Sequence, residues 1–217
     1  TVQGLKPKHF SFNVDGGRCD ECKGDGVITV SMQFMADIEL ECEHCHGTRF
    51  KKEILEIKYD EKNISDILHM TVDEALEFFK ENHEEKIATK LKPLQDVGLG
   101  YLQLGQSSST LSGGEAQRVK LASFLVKGVT TEKTLFVFDE PSTGLHFHDI
   151  QKLLKSLQAL IELGHSVVVI EHQPDIIKCA DHIIDVGPNA GKYGGEIVFT
   201  GIPEDLVKEK KSFTAKY

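Results

Sequence analysis

The spacing of apolar residues changes twice along the chain. In residues 1–58 apolar positions come in short runs broken by Gly and Cys. Val27-Ile28-Thr29-Val30-Ser31-Met32 and Glu53-Ile54-Leu55-Glu56-Ile57 have strand-like composition and, in part, the period of two of a half-buried strand. Residues 63–97 switch to helical spacing. Thr71-Val72-Asp73-Glu74 is a capping-box pattern, in which hydroxyl and carboxylate satisfy the free amides of a helix start, and Ala75, Leu76 and Phe79 continue it as an apolar stripe. A second helix is predicted from about His83 to Val97, ended by Gly98. From residue 106 the pattern becomes α/β. Leu135–Phe138 and Val167–Ile170 are continuous apolar runs, which predicts strands buried on both faces. Between them Ile150 to Leu163 reads as an amphipathic helix closed by Gly164, and Asp181–Asp185 and Glu196–Phe199 supply two more strand candidates. These shifts divide the chain into a β-rich module at 1–58, a helical part at 59–105 and an α/β lobe at 106–217.

Composition narrows the class. The 217 residues are 40% hydrophobic and 27% charged, as expected of a globular protein, and no apolar run reaches the roughly 18 residues that span a bilayer. No signal peptide is evident, and a start at Thr1 instead of Met is expected of a segment of a longer protein. The net charge of −9 excludes a uniformly basic nucleic-acid face. Most of the excess sits in residues 59–110, with five Lys/Arg against ten Asp/Glu, so any DNA contact is expected as a local patch.

Four of the five cysteines form two tight pairs, Cys19-x₂-Cys22 and Cys42-x₂-Cys45, separated by 19 residues. That spacing fits a tetrahedral Cys₄ zinc site built from two knuckles, each followed by glycine. His44 and His46 are alternative ligands by position, though four thiolates already fill a tetrahedral shell. The metal is expected to be structural, holding together a module too thin to be stable by burial alone. The fifth, Cys179, reads as the buried side of a short helix, a small hydrophobe in packing.

Three further features carry chemistry. Leu111-Ser112-Gly113-Gly114-Glu115-Ala116-Gln117-Arg118 is a helix start whose Ser112 and Glu115 form a capping box, and whose glycines let backbone amides approach a phosphate. An apolar strand then ends in Asp139-Glu140-Pro141-Ser142-Thr143-Gly144-Leu145, where one carboxylate can hold Mg²⁺ and its neighbour can polarise a water. The next strand ends in Glu171-His172. In this order the three resemble the signature motif, Walker B and switch histidine of ABC ATPases. By that resemblance Ser112, Gly113 and Gly114 face the γ-phosphate of ATP held on another lobe, Asp139 serves Mg²⁺, Glu140 is the hydrolytic base and His172 senses the γ-phosphate. Ser142 to Leu145 then matches the loop that couples two facing ATP sites. The Walker A pattern G-x-x-x-x-G-K-[ST] is missing from the sequence. Gly187-Pro188-Asn189-Ala190-Gly191-Lys192-Tyr193 is one residue short, ends in Tyr and follows Walker B, so it is read as a decoy. The chain alone is therefore expected to be inactive.

A Cys₄ module upstream of an ABC signature resembles the UvrA family of ABC ATPases, the damage-recognition proteins of bacterial nucleotide excision repair. His9-Phe10-Ser11-Phe12-Asn13-Val14, Gly16-Gly17-Arg18-Cys19, Asp96-Val97-Gly98-Leu99-Gly100-Tyr101 and Leu111 to Ala122 carry the resemblance, which extends over essentially the whole chain. It implies an α/β fold: the C-terminal portion of an ABC nucleotide-binding domain with an inserted zinc-binding, mixed β/helical signature domain. It further implies a cytoplasmic, non-membrane homodimer that binds damaged duplex DNA and passes the lesion to a UvrB-like protein through a region this chain lacks. Lys6, Lys8, His9, Arg18, Lys23 and Arg49 cluster around the knuckles and are candidates for backbone-phosphate contacts, without base readout. Alternative readings are a UvrA-like paralogue in drug self-resistance, a transporter ATPase, and a non-enzymatic zinc and DNA-binding module. The Cys₄ insertion speaks against the transporter. A cysteine-rich region of DnaJ-type chaperones is set aside because those proteins lack an ABC signature.

Overall fold

A computed structural model describes residues 4–32, 37–127, 132–187 and 194–216. The chain forms two compact units, one of residues 1–85 and 102–106, the other of residues 86–101 and 107–217.

The first unit begins with a 3-10 turn at Pro7–Phe10, followed by the two cysteine knuckles. Between them β1 (Val27–Val30) pairs antiparallel with β2 (Ile38–Glu41), Val27 opposite Glu41 and Val30 opposite Ile38. After the second knuckle comes α1 (Lys52–Leu55). The strand expected at Glu53–Ile57 is thus replaced by a turn of helix. Leu55 and Glu56 donate to the carbonyls of Lys51 and Lys52, and Ile54 alone in α1 is buried. Apolar–polar alternation over five residues cannot hold a strand that lacks a pairing partner. The short hairpin β3 (Lys58–Tyr59)/β4 (Lys62–Asn63) leads into α2 (Ile64–His69) and α3 (Val72–Glu81).

Both helices start on reciprocal boxes: Asn63 with Asp66, and the expected Thr71 with Glu74. Thr71 Oγ1 accepts from the Glu74 amide at 3.2 Å while Glu74 Oε2 accepts from the Thr71 amide at 2.8 Å. Val72, Ala75, Leu76 and Phe79 of α3 are buried together with Phe50, Ile54 and Leu102. The returning segment 102–106 is held by backbone bonds from Val72 to Leu102 and from Leu104 to Met70.

In the second unit α4 (Glu85–Asp96) stops at Gly98, whose φ is +79°. It starts two residues later than predicted, since His83 adopts φ +58°, outside the helical region. Then come α5 (Gly113–Lys127), β5 (Leu135–Asp139), α6 (Phe147–Glu162) and β6 (Ser166–Ile170). β5 and β6 are parallel, Leu135 opposite Ser166 and Asp139 opposite Ile170, with α6 as the crossover between them. Leu153, Leu157 and Leu160 of α6 are buried, as are Phe136 and Phe138 of β5. The described residues cover only one face of these strands. Leu135, Val137, Val168 and Ile170 are 47–61% exposed, so the described residues leave the other face of each apolar run uncovered.

The unit ends with α7 (Pro174–Ile177), the antiparallel pair β7 (Ile183–Gly187)/β8 (Glu196–Gly201), α8 (Pro203–Leu206) and a 3-10 turn at Thr214–Lys216. Cys179, expected inside, is exposed. It lies past the end of α7, where its thiol donates to the Asp175 carbonyl, so the apolar side of that short helix is Ile176 instead. The decoy at 187–193 falls beyond the described residues after Gly187. No described helix is long and apolar enough to cross a membrane.

Candidate functional site

The four paired cysteines converge. Their Sγ atoms all lie within 4.8 Å of one another, Cys19–Cys42 at 3.9 Å and Cys22–Cys45 at 3.6 Å. A tetrahedral ion with metal–sulfur bonds of about 2.3 Å sets its ligands about 3.8 Å apart, so the spacing suits zinc. Backbone bonds shape each knuckle. The Gly26 amide donates to Cys22 Sγ at 3.3 Å, and the amide of Cys42 donates to the Gly26 carbonyl. Gly24 makes a close approach possible: with φ +96°, a Cβ there would lie 2.3 Å from the Phe12 carbonyl oxygen.

His44 and His46 stand outside the cluster, and His46 faces Glu41 at 3.9 Å. Burial pushes the Cys45 thiol up to about 12 and the Cys19 thiol upward, while the Cys45 amide helps hold Cys42 down to about 7. Buried thiols resist ionisation, and a divalent cation reverses that preference. The four residues can hold a metal ion.

Of the basic residues near the knuckles, Lys6, Lys8 and Lys23 are exposed and make no ion pair among the described residues. Arg18 is engaged by Asp15, its Nη2 donating at 2.7 Å. Arg49 lies over the Phe12 ring at 5.4 Å and borders a cavity of about 210 Å³ with Gly26, Gly47, Leu68 and His69. His9 Nδ1 accepts from the Lys6 amide. The cluster therefore divides into three free lysines and three residues that help shape the module.

In the second unit β5 delivers Asp139 and Glu140, and β6 delivers Glu171 and His172. Because the strands are parallel and in register, their C-terminal ends lie side by side. Glu140 Oε1 stands 3.6 Å from His172 Nδ1, both side chains more than half exposed. Glu140 adopts φ +47°, a left-handed conformation rare for a residue with a side chain, and its amide donates to the Ile170 carbonyl. A carboxylate and an imidazole so placed can polarise a water and stabilise the charge that forms.

The Ser112 box is formed: Glu115 Oε2 accepts from the Ser112 amide at 2.7 Å, and Ser112 Oγ accepts from the Glu115 amide at 3.3 Å. Tyr101 donates to Glu115 Oε1 at 2.5 Å, and this bond, then that of the Ser112 amide, holds the Glu115 carboxyl below the usual range. With Glu115 turned back on Ser112, Ser112 and Gly113 remain exposed at the start of a 15-residue helix, while Gly114 is buried against the Thr143 carbonyl. That is the arrangement that suits an anion.

Comparison with known proteins gives the relationship. No protein-family model matches the chain. UvrABC system protein A of Clostridium perfringens (strain 13 / Type A) is 55% identical over 216 residues, which is 100% of this chain. Over its whole length the chain is homologous to a segment of UvrA. The same protein of Staphylococcus aureus (strain COL) is 55% identical and that of Agrobacterium fabrum (strain C58) 54% identical, again over 216 residues. The UvrA-like segment spans only 22–23% of the length of these relatives. The crystal structure of UvrA2 from Deinococcus radiodurans matches it with a TM-score of 0.87 at 43% identity, covering 100% of this chain and 26% of that one.

Three residues of this UvrA-like segment escape the sequence reading. Glu171 accepts from the Ser142 amide at 2.9 Å and the His172 amide at 3.1 Å, so it ties the two strand ends together. Gln117 and Arg118 of α5 reach the other way. Gln117 Nε2 donates to the Asp139 carbonyl at 2.9 Å, and its Oε1 accepts from the Asp139 amide at 3.1 Å. Arg118 is 1% exposed, and its Nη1 donates to the carbonyls of Pro141 at 2.7 Å and Thr143 at 3.2 Å. Their only signal in the sequence is their place one turn after the glycines. Long-range partners 22–25 residues away leave no local pattern.

Proposed function

We propose that this chain is the part of a UvrA-like ATPase that carries the signature helix, the Walker B carboxylates and the switch histidine of one ABC module. In that reading a zinc-bearing signature domain is inserted ahead of the signature helix. The observation that carries the reading is the end-to-end match, at 54–55% identity, to UvrABC system protein A. Its function would be damage recognition in nucleotide excision repair: ATP-controlled DNA binding by a homodimer and hand-over of the lesion to a UvrB-like protein.

In this reading the residues take the following roles. Ser112, Gly113 and Gly114 present amides to the γ-phosphate of ATP held on a facing lobe. Asp139 holds Mg²⁺, Glu140 takes the proton from the attacking water, and His172, 3.6 Å from the Glu140 carboxylate, senses the γ-phosphate. Cys19, Cys22, Cys42 and Cys45 hold zinc, which supplies rigidity to a thin module. Lys6, Lys8 and Lys23, with Arg18 and Arg49 behind them, face DNA phosphates without reading bases.

The test uses the intact protein that contains this segment. Glu140→Gln should lower ATP turnover by about 10²–10⁴-fold while nucleotide binding persists. In fluorescence anisotropy with a labelled duplex, each of Lys6→Ala, Lys8→Ala and Lys23→Ala should reduce the salt slope by about 0.9. Full turnover by the Glu140 variant would overturn the catalytic assignment. An unchanged salt slope would move the DNA grip elsewhere. Rescue of ultraviolet sensitivity by the intact gene separates repair from self-resistance.

A further inference from the structure

The described residues bury one arginine, with the Glu115 carboxylate close enough to feel its charge. Arg118 is 1% exposed, yet its Nε and Nη2 have no hydrogen-bond partner among the described residues. A guanidinium stays charged at any ordinary pH, and burying it half-satisfied is costly. An apolar side chain of the same length could fill the space, so what the arginine adds beside its charge near Glu115 is what Nη1 does. That nitrogen bonds two carbonyls of the loop after β5, Pro141 and Thr143. One residue earlier on the same helix, Gln117 grips both backbone groups of Asp139.

Gly114, one turn before Arg118, closes the arrangement. A Cβ there would lie 3.1 Å from the Thr143 oxygen and 3.2 Å from Arg118 Nη1, so the helix start lies directly against the loop. Glu171 holds the far side of that loop through the Ser142 amide. The loop 141–143 is thus gripped by α5 on one side and by the end of β6 on the other.

We propose that Gln117 and Arg118 are positioning residues that lock the helix start at Ser112–Gly114 to the Asp139–Leu145 loop, so that the two move as one rigid body. A phosphate captured by the helix start would then displace the loop and its carboxylates without slack. The coupling role rests on the nucleotide reading given above; the clamp itself rests only on the geometry. Neither residue touches nucleotide in this scheme, and each acts through the backbone it holds.

The experiment compares Arg118→Met, Arg118→Lys and Gln117→Ala in the intact protein. Hydrogen exchange of peptides covering 139–145 reads the clamp. Arg118→Met should speed exchange at the Thr143 and Leu145 amides by about tenfold, and Gln117→Ala should do the same at the Asp139 amide. ATP turnover should fall about tenfold with KM changed less than about threefold, and Arg118→Lys should restore part of both effects. Thermal unfolding should move by only a few degrees, since the cost of the buried charge goes with the side chain.

A fall in Tm that tracks the loss of turnover would reduce Arg118 to ordinary packing and overturn the proposal. So would exchange that stays as slow as in the wild type, or loosened exchange with normal turnover. Should Glu140→Gln leave turnover intact, the nucleotide reading fails, and the exchange data still decide whether the clamp exists.

Discussion

Removing the metal from the four-cysteine cluster should unfold the knuckle module while the rest of the chain stays folded. Among described residues 4–49 the buried side chains are those of Cys19, Cys22, Cys42 and Cys45, with no aliphatic or aromatic side chain buried beside them. Ordering each residue of such a loop costs about 1–2 kcal/mol, whereas burying a cysteine returns on the order of 1 kcal/mol. The β1–β2 hairpin adds little, since Ile28, Val30, Ile38 and Leu40 are all exposed. A structural zinc supplies about 10–16 kcal/mol, comparable with the entire stability of a domain. Elemental analysis should therefore find one zinc per chain. Chelation should then abolish exchange protection at the Cys19, Cys42, His46 and Thr48 amides, all bonded in the folded module. The α3 and β5–β6 amides serve as the internal control. Since thiolates bind the metal, acid should release it and alkali should not. A metal-free preparation with the same protection pattern, or chelation without effect on those amides, would refute the reasoning.

Gly24→Ala should fail to form the first knuckle, because the new methyl group would stand 2.3 Å from a backbone oxygen at φ +96°; zinc stoichiometry well below one would show it. Thr71→Ala should cost about 1 kcal/mol in a urea titration by freeing the amides at the start of α3, and a neutral outcome would mean that Glu74 alone caps it. The Glu115 carboxyl is lowered by Tyr101 and the Ser112 amide, so its stabilisation is present above the ordinary glutamate range and lost as pH falls through and below it. Glu115→Gln should flatten that acid limb in the stability profile of the second unit, and an unchanged limb would place it elsewhere.

Much of this was legible in the residues because the signals are local. A capping box such as Thr71–Glu74 spans four residues, and paired cysteines announce a cluster by spacing alone. The parallel β5–α6–β6 unit follows from two apolar runs flanking an amphipathic helix. What stayed hidden depends on distant partners. Ile38–Glu41 shows its strand character only opposite Val27–Val30, and Glu53–Ile57 loses its strand character for want of such a partner. The same limit hid Glu171, Gln117 and Arg118, whose meaning lies in carbonyls and amides of a loop far along the chain.

The left-handed backbone at Glu140 sets the fold against the chemistry proposed for that residue. A non-glycine residue held there forfeits about 1–2 kcal/mol that glycine, and in part asparagine, would keep. A selection for heat resistance alone would therefore enrich Gly or Asn at position 140 and discard the carboxylate that stands beside His172. If Glu140 has the proposed catalytic role, thermal tolerance and turnover pull this one site in opposite directions, and a hardened variant obtained without an activity screen should be checked at this codon first.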